Sequence, residues 1–301
     1  MPVMGRKPAP RSDADGLASL QSNFAAALPL HIGCGKIGNL QRTRTYVTGR
    51  ALWGAITMRL TRDRAWGGVA ADDSRVYQDV SGQVCQSLAF TYFFPALRSG
   101  NTYQVAWPWE EERAFRCRFL SSYAATALDY PQQSAAFGML HEAEFISPCT
   151  LDRGEPVFLQ GYIFEKEKCS LPWQATLKRL QLGGERGYGW GDVKVIEISE
   201  SKGSSLFGTE VKFQDREEAP LVSLPASARL LAHAVTDDVA AAGEVEPLVG
   251  REWRTNQARN CYAGQHIAFN GLCFVPGSIL NEPTEFLIGR LGIWRRLKKT
   301  G

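Results

Sequence analysis

Apolar residues recur along this chain with two different periods, and together these predict a mixture of strands and helices. Residues 24–32 (FAAALPLHI), 87–96 (SLAFTYFFPA) and 156–165 (PVFLQGYIFE) are continuous or alternating apolar runs, which predict buried strands. In residues 50–64, leucine and isoleucine recur every four residues, which predicts an amphipathic helix. Residues 173–182 are amphipathic over a shorter stretch and predict a second helix.

The remaining pattern places further elements around these. Residues 139–146 (MLHEAEFI) alternate and are predicted to pair with residues 156–165 as a hairpin, whereas the small and polar residues 122–131 predict a loop. Glycine-rich residues 33–38 predict a turn, and residues 226–235 predict another strand. We therefore expect an α+β fold in which helices cover one face of a sheet.

The length and composition predict a domain organisation. A chain of 301 residues is long enough for about two domains. Residues 1–16 are polar and without apolar period, which predicts a disordered tail; residues 17–200 predict one domain and residues 201–301 an extension. With 44% hydrophobic and 22% charged residues, the composition excludes a fibrous repeat and wholesale disorder.

Targeting and metal-binding signals are absent from the sequence. No apolar run approaches the roughly 20 residues that cross a bilayer, and the first residues lack the apolar stretch of a signal peptide, so we expect a cytoplasmic protein. The seven cysteines are odd in number and form no C-x-x-C pair, which predicts reduced, mostly buried thiols. Cys261 and His266 are the nearest approach to a ligand cluster, and one pair is too few, so no metal and no cofactor is predicted.

Positive charge is concentrated in two zones, although the whole chain carries only +3. Seven cations and one acid lie in residues 36–64, and five more cations lie in residues 290–299. Such zones on a near-neutral chain indicate a protein that contacts a polyanion on one face. Ordinary solvated charged faces are the alternative.

Two glycine-rich segments carry candidate chemistry. The first, GCGKIG at residues 33–38, can present backbone amides beside cations to a phosphate, but it lacks the Walker G-K-S/T, and a strand-like run follows where a dinucleotide site needs a helix. The second, GGERGYGWG at residues 183–191, alternates glycine with Arg186, Tyr188 and Trp190, a combination that suits single-stranded nucleic acid. The alternative for the second segment is a turn whose aromatic rings pack into the core.

Three motifs, taken in order, resemble one protein family. TYVTGRALWGAITMRL (residues 45–60) resembles the I-P-G-S-x-L-[RKW]-G-A helix entry of the RAMP superfamily of CRISPR-associated proteins. GGERGYGWGDVKV (residues 183–195) resembles the glycine-rich loop and following strand of that superfamily, and residues 126–146 between them are similar to a segment of its type III subunits. The sequence departs from the family at Thr48 and Arg50, where Pro and Ser are frequent.

The resemblance covers residues 24–198 and implies a ferredoxin-like, RRM-related fold with a glycine-rich loop, followed by a C-terminal extension or a second, degenerate RAMP half. It implies a crRNA-binding structural subunit of a type III-like CRISPR ribonucleoprotein complex, which serves antiviral defence. The implied partners are the crRNA, a backbone RAMP subunit and a large subunit or nuclease, with target nucleic acid contacted indirectly. Within the family we favour the subunit that caps the 5′ handle of the crRNA, because residues 36–46 contain no acidic residue for target cleavage and the C-terminal third exceeds one ferredoxin-like unit.

Three other functions stay open. The chain is alternatively a backbone subunit of the same complex, a metal-independent CRISPR repeat endoribonuclease that uses His31 as general acid or base, or a protein that makes only protein contacts. We expect no catalysis, because His31 lies in a strand-like run without a partner fixed by local spacing. The predicted RNA-binding residues come from the two glycine segments, the helix entry and the cations near them: Gly33, Gly35, Lys36, Arg42, Arg44, Gly49, Arg50, Trp53, Arg59, Gly184, Arg186, Tyr188 and Trp190.

Overall fold

The structure is a computed structural model, and most of the chain is described in it. The described residues are 18–65, 67–68, 71, 73–166, 169–201, 205–209, 211–214, 219–254 and 264–298. The predicted tail over residues 1–16, together with Cys261 and Lys299, lies outside the described residues. In the ranges given, no helix is long and apolar enough to cross a membrane.

The described elements are mostly strands, in a mixed α+β fold. Up to residue 200 the strands are β1 (Ala18–Ala26), β2 (Gly33–Ile37), β3 (Leu40–Thr43), β4 (Leu88–Phe90), β5 (Phe94–Ser99), β6 (Thr102–Val105), β7 (Leu120–Ala125), β8 (Leu128–Asp129), β9 (Ser134–Ala135), β10 (His141–Ile146), β11 (Phe158–Glu165) and β12 (Val193–Glu200). The helices are α1 (Gly49–Ala65), α2 (Ser74–Ser87), α3 (Glu112–Phe119) and α4 (Trp173–Thr176). The later strands are β13 (Lys212–Gln214), β14 (Leu221–Leu224), β15 (Ala234–Val235), β16 (Ala241–Ala242), β17 (Val245–Glu252), β18 (His266–Phe274), β19 (Ile279–Leu280), β20 (Thr284–Ile288) and β21 (Trp294–Arg296).

The first sheet is antiparallel throughout, and its two long strands β1 and β11 pair side by side within it. Its order is β12-β1-β11-β5-β6, and β4 also pairs with β11. The run predicted as a strand over residues 156–165 forms β11, and both of its faces are buried: Leu159 and Ile163 pack on the helical side, whereas Tyr162 and Phe164 pack on the opposite side. Burial on both faces explains the near-continuous apolar sequence of this strand.

Helix α1 covers one face of the first sheet, as the four-residue spacing predicts. Leu52, Ile56 and Leu60 are buried in the core between helix and sheet. At the N-terminus, the Thr48 hydroxyl accepts a hydrogen bond from the Ala51 amide at 3.3 Å, which satisfies one of the free donors of the first turn. The opposite stripe of α1 is left free to line a cleft.

The C-terminal part covers the other face of the first sheet. A third sheet has the order β13-β14-β20-β21-β15-β18-β17. Its buried residues Leu224, Phe286 and Trp294 pack in one core with Phe164 of β11 and with Tyr92, which lies between β4 and β5. The strand predicted over residues 226–235 is wrong in extent, because only Ala234–Val235 form a strand, and Arg229 forms an isolated antiparallel bridge with Ile279.

The second sheet corrects two predictions made from local pattern. The glycine-rich turn predicted over residues 33–38 is instead strand β2, paired with β3, and the chain turns at Gly38 with φ of +57°. The predicted hairpin between residues 139–146 and 156–165 is wrong: β10 pairs with β7 and β3, whereas β11 pairs in the first sheet. Strand β7 also replaces the first part of the loop predicted over residues 122–131. Alternation identifies a strand but not its partner.

One helix and the thiols also differ from expectation. The helix predicted over residues 173–182 is shorter, because α4 ends at Thr176 and is followed by a 3-10 turn, Leu177–Arg179. The six described cysteines are free, but Cys34, Cys117 and Cys149 are exposed, so the prediction of mostly buried thiols is wrong for the described residues. Cys34 lies in β2, whose residues are all exposed, and Cys117 lies on the outer face of α3. The described residues contain no cluster of three or more side chains able to hold a metal ion.

Candidate nucleic-acid interface

A large cleft lies between helix α1 and the ribbon of β17 and β18, which we call the C-terminal ribbon. Its volume is about 970 Å³, and α2 and the turn at residues 183–186 complete its walls. Seven arginines and one carboxylate, that of Glu252, line it, so we call it the arginine cleft. Its arginines are Arg44, Arg50, Arg62, Arg186, Arg251, Arg254 and Arg290.

One stripe of helix α1 forms the wall opposite the ribbon. Arg50, Gly54, Met58 and Arg62 follow one another at intervals of four residues and all line the cleft. Residues four apart lie on one face of a helix, so these residues form a stripe on the side of α1 opposite the buried stripe of Leu52, Ile56 and Leu60. Gly54 has no neighbour within 4 Å of the position of a Cβ, which leaves the wall open at this point.

Arg50 connects α1 to the C-terminal ribbon. Its Nη2 lies 3.5 Å from a carboxylate oxygen of Glu252 and donates to the Arg251 carbonyl at 3.3 Å. The guanidinium lies so close to Gly250 that a Cβ there would be 2.0 Å from Arg50 Cζ. Burial lowers the pKa of Arg50, although Glu252 opposes that effect, and the group stays a cation. Part of its charge is therefore already neutralised inside the protein.

Arg62 and Arg186 are the cations most available to a ligand. Both side chains belong to exposed residues, and neither forms an ion pair with any residue that the structure describes. The closest polar contact of Arg186 is the thioether of Met58, at 3.1 Å from Nη1. Because a thioether is a weak acceptor, the guanidinium keeps most of its hydrogen-bonding capacity.

The glycines of the second segment bring its turn against His31, which lies just before strand β2. A Cβ at Gly183 would lie 2.1 Å from the His31 carbonyl oxygen, and one at Gly191 would lie 2.0 Å from that of Leu182, and both have φ near +80°. The Gly184 amide donates to the His31 carbonyl at 2.8 Å. These glycines therefore fix the turn in place, and the turn presents Arg186 to the cleft.

A buried polar network lies behind the floor of the cleft. The Tyr92 hydroxyl donates to Nδ1 of His233 at 2.7 Å, and Nε2 of His233 donates to Glu246 at 2.5 Å. Glu246 also pairs with Arg44 at 2.7 Å, and Arg44 donates to the Tyr46 hydroxyl at 3.3 Å. The network joins residues 44–46, which follow β3, to Glu246 of β17, so it connects the N-terminal and C-terminal parts.

The pKa shifts of the groups in this network determine which of them are charged near pH 7. Burial alone would raise the pKa of Glu246, but the hydrogen bond from His233 and the pairing with Arg44 lower it to about 2. Burial lowers the pKa of His233, so the ring is neutral at pH 7, and burial raises the pKa of Tyr46 to about 12. Arg44 therefore lines the cleft with its charge already paired to Glu246.

The structure brings about half of the predicted RNA-binding residues together. The arginine cleft is lined by Gly33, Arg44, Arg50, Trp53, Gly184 and Arg186. Gly49 lies just behind the wall and packs on the backbone of Leu291. The guanidinium groups of Arg50 and Arg290 both lie over the Trp53 ring, at 5.9 and 5.7 Å from its centroid.

The other predicted residues lie outside the cleft lining. Gly35 and Lys36 are exposed on β2, and Tyr188 is 69% exposed. Trp190 packs edge-on against Phe145, with ring centroids 5.0 Å apart. Arg42 and Arg59 face carboxylates: Arg42 lies 3.8 Å from Glu144 of the neighbouring strand β10, and Arg59 lies 3.9 Å from Asp63, one turn further along α1.

His31 is buried in a structural position. The residue is 6% exposed, and Nδ1 donates to the Glu144 carbonyl at 2.6 Å. Its carbonyl accepts the Gly184 amide, so both ring and backbone hold neighbouring segments. No carboxylate among the described residues bonds the ring.

Comparison with known proteins gives distant structural likenesses. No protein-family model and no curated protein matches this chain. A chain of the type III-B Cmr-beta cryo-EM structure bound to cognate target RNA and AMPPnP, state 1, is similar with TM-score 0.48 and 12% identity, over 86% of this chain and 85% of that chain. The structure of Cmr-beta bound to cognate target RNA gives 0.45 and 12%, over 86% of each chain, and the apo state gives 0.37 and 12%, over 62% of this chain and 98% of that chain. TM-scores below 0.5 and an identity of 12% assign no family to this chain.

Several residues of the cleft are absent from the sequence prediction. Three of them lie at or just after the end of β17: Arg251, Trp253 and Arg254. The fourth is Tyr77 of α2, whose ring contacts that of Trp253. The sequence signal that could have identified this part of the cleft is REWR at residues 251–254, which combines two arginines with a tryptophan. It stands about 200 residues from the helix entry, and only the fold places both on one cleft.

Proposed function

We propose that this chain is a non-enzymatic, crRNA-binding subunit of a type III CRISPR ribonucleoprotein complex, and that the arginine cleft holds the 5′ handle of the crRNA. The observation that carries the proposal is the composition of the cleft, in which seven arginines face one carboxylate. Such a surplus of positive charge in a concave site attracts a polyanion. Because the cations are all arginines, they suit the planar, bidentate recognition of phosphate.

The half-buried aromatic rings favour a single strand over a duplex. Trp53, Tyr77 and Trp253 line the same cleft as the arginines. Single-stranded nucleic acid is bound by cations that follow the phosphates and by rings on which bases stack. The bases of a duplex are already stacked on each other, so those rings would have no partner.

The motif resemblance supports CRISPR RNA as the ligand. The helix entry at residues 45–60 and the glycine segment at residues 183–195, which carry that resemblance, supply Arg50 and Arg186 to one cleft. The order β12-β1-β11-β4, with helices in the two connections, is the order expected of a ferredoxin-like unit. In this proposal the C-terminal part closes the second wall of the cleft, which favours the capping subunit over a backbone subunit, and a backbone RAMP subunit is its neighbour.

The first test is to purify the chain from its co-expressed operon and sequence the RNA that accompanies it. We expect short RNAs that share one constant 5′ tag followed by variable spacers. Recovery of no RNA, or of RNAs without a common tag, contradicts the proposal. Equal protection of the tag and of the spacer favours the backbone subunit instead.

The second test locates the RNA on the protein. Arg62→Ala and Arg186→Ala should each weaken the binding of a single-stranded repeat RNA, measured by fluorescence anisotropy at several salt concentrations. Each should also reduce the slope of log K against log salt by about 0.7, the value for one lost phosphate contact on a single strand. Arg98→Ala is the matched control, because Arg98 is an exposed arginine outside the cleft.

A change in affinity and slope for Arg98→Ala equal to that for the cleft variants would contradict the site. Lys36→Ala should have a smaller effect than Arg186→Ala, because Lys36 lies on the exposed strand β2 and does not line the cleft. The double variant Lys36→Ala, Arg186→Ala should then resemble Arg186→Ala alone.

A further inference from the structure

We infer that the arginine cleft contains a separate nucleobase-binding subsite, formed by Tyr77, Trp253 and Arg50 where α1, α2 and the end of the C-terminal ribbon meet. The inference rests on the proposed function and names the part of the RNA that this region takes: one unstacked base of a single strand. The phosphates on either side of that base would lie along the arginines.

An aromatic pair provides the first observation. The rings of Tyr77 and Trp253 are 5.4 Å apart at an interplanar angle of 54°, and both residues are half-buried in the cleft wall. Neither belongs to any of the three hydrophobic cores of the described residues. The pair therefore joins α2 to the end of β17 without serving the core, and it lies next to Arg254 and Glu252.

A buried donor provides the second, independent observation. Nη1 of Arg50 is buried, belongs to a residue that lines the cleft, and finds no acceptor among the described residues. A buried donor without an acceptor is unfavourable, so this group favours a ligand that supplies one. It lies near Trp253, because Nη2 of the same guanidinium contacts Glu252 and the Arg251 carbonyl.

A nucleobase satisfies both observations at once. Its flat face stacks on an aromatic ring, and its edge offers carbonyl and ring-nitrogen acceptors to the Arg50 guanidinium. A simple anion would use the arginines but not the rings. A cation is disfavoured by the net positive charge of the lining.

A binding experiment distinguishes the contribution of the nucleobase subsite to RNA affinity from that of the phosphate contacts. The probes are a short single-stranded RNA and an oligomer of the same length in which every nucleotide is abasic. Trp253→Ala and Tyr77→Ala should weaken binding of the RNA by about 5- to 100-fold, as expected for one lost stacking interaction. Binding of the abasic oligomer and the salt slope of both probes should stay as in the wild type.

Matched variants control for folding and for charge. Tyr103→Ala removes another half-buried tyrosine, which packs on Phe158 outside the cleft, and it should leave both affinities unchanged. Trp253→Phe keeps a ring and should restore most of the RNA affinity. Arg62→Ala should weaken both probes equally.

The outcomes distinguish the two proposals. Equal wild-type affinity for the RNA and the abasic oligomer, or RNA binding that is unchanged in both Trp253→Ala and Tyr77→Ala, overturns the subsite and leaves the arginine cleft as a phosphate site. Absence of wild-type binding to either probe overturns the proposed function, and the subsite with it.

Discussion

Gly49, the first residue of α1, packs directly on the backbone of Leu291. A Cβ at Gly49 would lie 2.6 Å from the Leu291 carbonyl oxygen and 2.9 Å from Cα of Gly292. Gly292 in turn has φ of +74°, and a Cβ there would lie 2.7 Å from the Phe90 carbonyl oxygen. Two glycines thus let the C-terminal part contact the start of the helix that lines the cleft.

Gly49→Ala should therefore destabilise the protein, whereas Gly54→Ala on the same helix should stabilise it. The methyl group at position 49 meets backbone atoms that cannot move alone, and we expect a loss of about 1–3 kcal/mol. At position 54 nothing lies within 4 Å, and alanine should gain about 1 kcal/mol through its higher helix propensity. Urea unfolding of both variants checks this, and equal shifts in the two would contradict the packing.

Glu246→Gln should lower the stability at neutral pH but not in acid. The pKa of Glu246 is lowered from 4.5 to about 2 in the folded protein. A carboxyl whose pKa falls on folding stabilises above its unfolded pKa, and this contribution is lost as the pH falls from 4.5 to about 2. We expect the variant to be less stable by about 2–3 kcal/mol near pH 7, a difference that shrinks steadily below about pH 4.5.

The control for this charge is Glu155→Gln. Glu155 pairs with Arg118 at 2.6 Å, but its carboxylate is 45% exposed, so its removal should change the free energy of unfolding by less than about 1 kcal/mol. Urea unfolding across the pH range provides the measurement for both variants. A difference between wild type and Glu246→Gln that does not depend on pH would refute a charged role for this carboxylate.

Substitutions of the two aromatic residues of the glycine segment should differ in their effect on stability. Trp190 packs on Phe145, whereas Tyr188 is 69% exposed. Trp190→Ala should lower the free energy of unfolding by about 1–3 kcal/mol through lost burial, with little change in RNA affinity once folded. Tyr188→Ala should leave stability within about 0.5 kcal/mol of the wild type. Thermal melts and RNA binding of each variant test this, and the reverse pattern would contradict it.

Repeat RNA should stay intact when incubated with the protein alone. His31 is 6% exposed and donates to the Glu144 carbonyl, which suits a structural role better than proton transfer. His31→Ala should be less stable by about 1–3 kcal/mol because it leaves that carbonyl without its donor. Gel analysis of the RNA checks the first expectation. Cleavage by the wild type that disappears in His31→Ala would establish the endoribonuclease instead.

Local pattern predicted elements well and their partners poorly. The four-residue spacing in residues 50–64 identified α1, and the alternation in residues 156–165 identified β11. The same alternation could not tell that β10 joins a different sheet, because pairing is decided by contacts far along the chain. Helix α2 was missed although Val76, Val80 and Val84 recur every four residues, the same spacing that identified α1.

The candidate site divides in the same way. The sequence by itself determined the basic helix entry with Arg50 and the glycine segment with Arg186, because both are local in the chain. Only the tertiary structure brought residues 251–254 and Asn270 across from them, paired Arg44 with Glu246, and turned Trp190 toward Phe145. A cleft between distant segments depends on how sheets stack and which charges become neighbours, and neither is encoded in the spacing of residues within one segment.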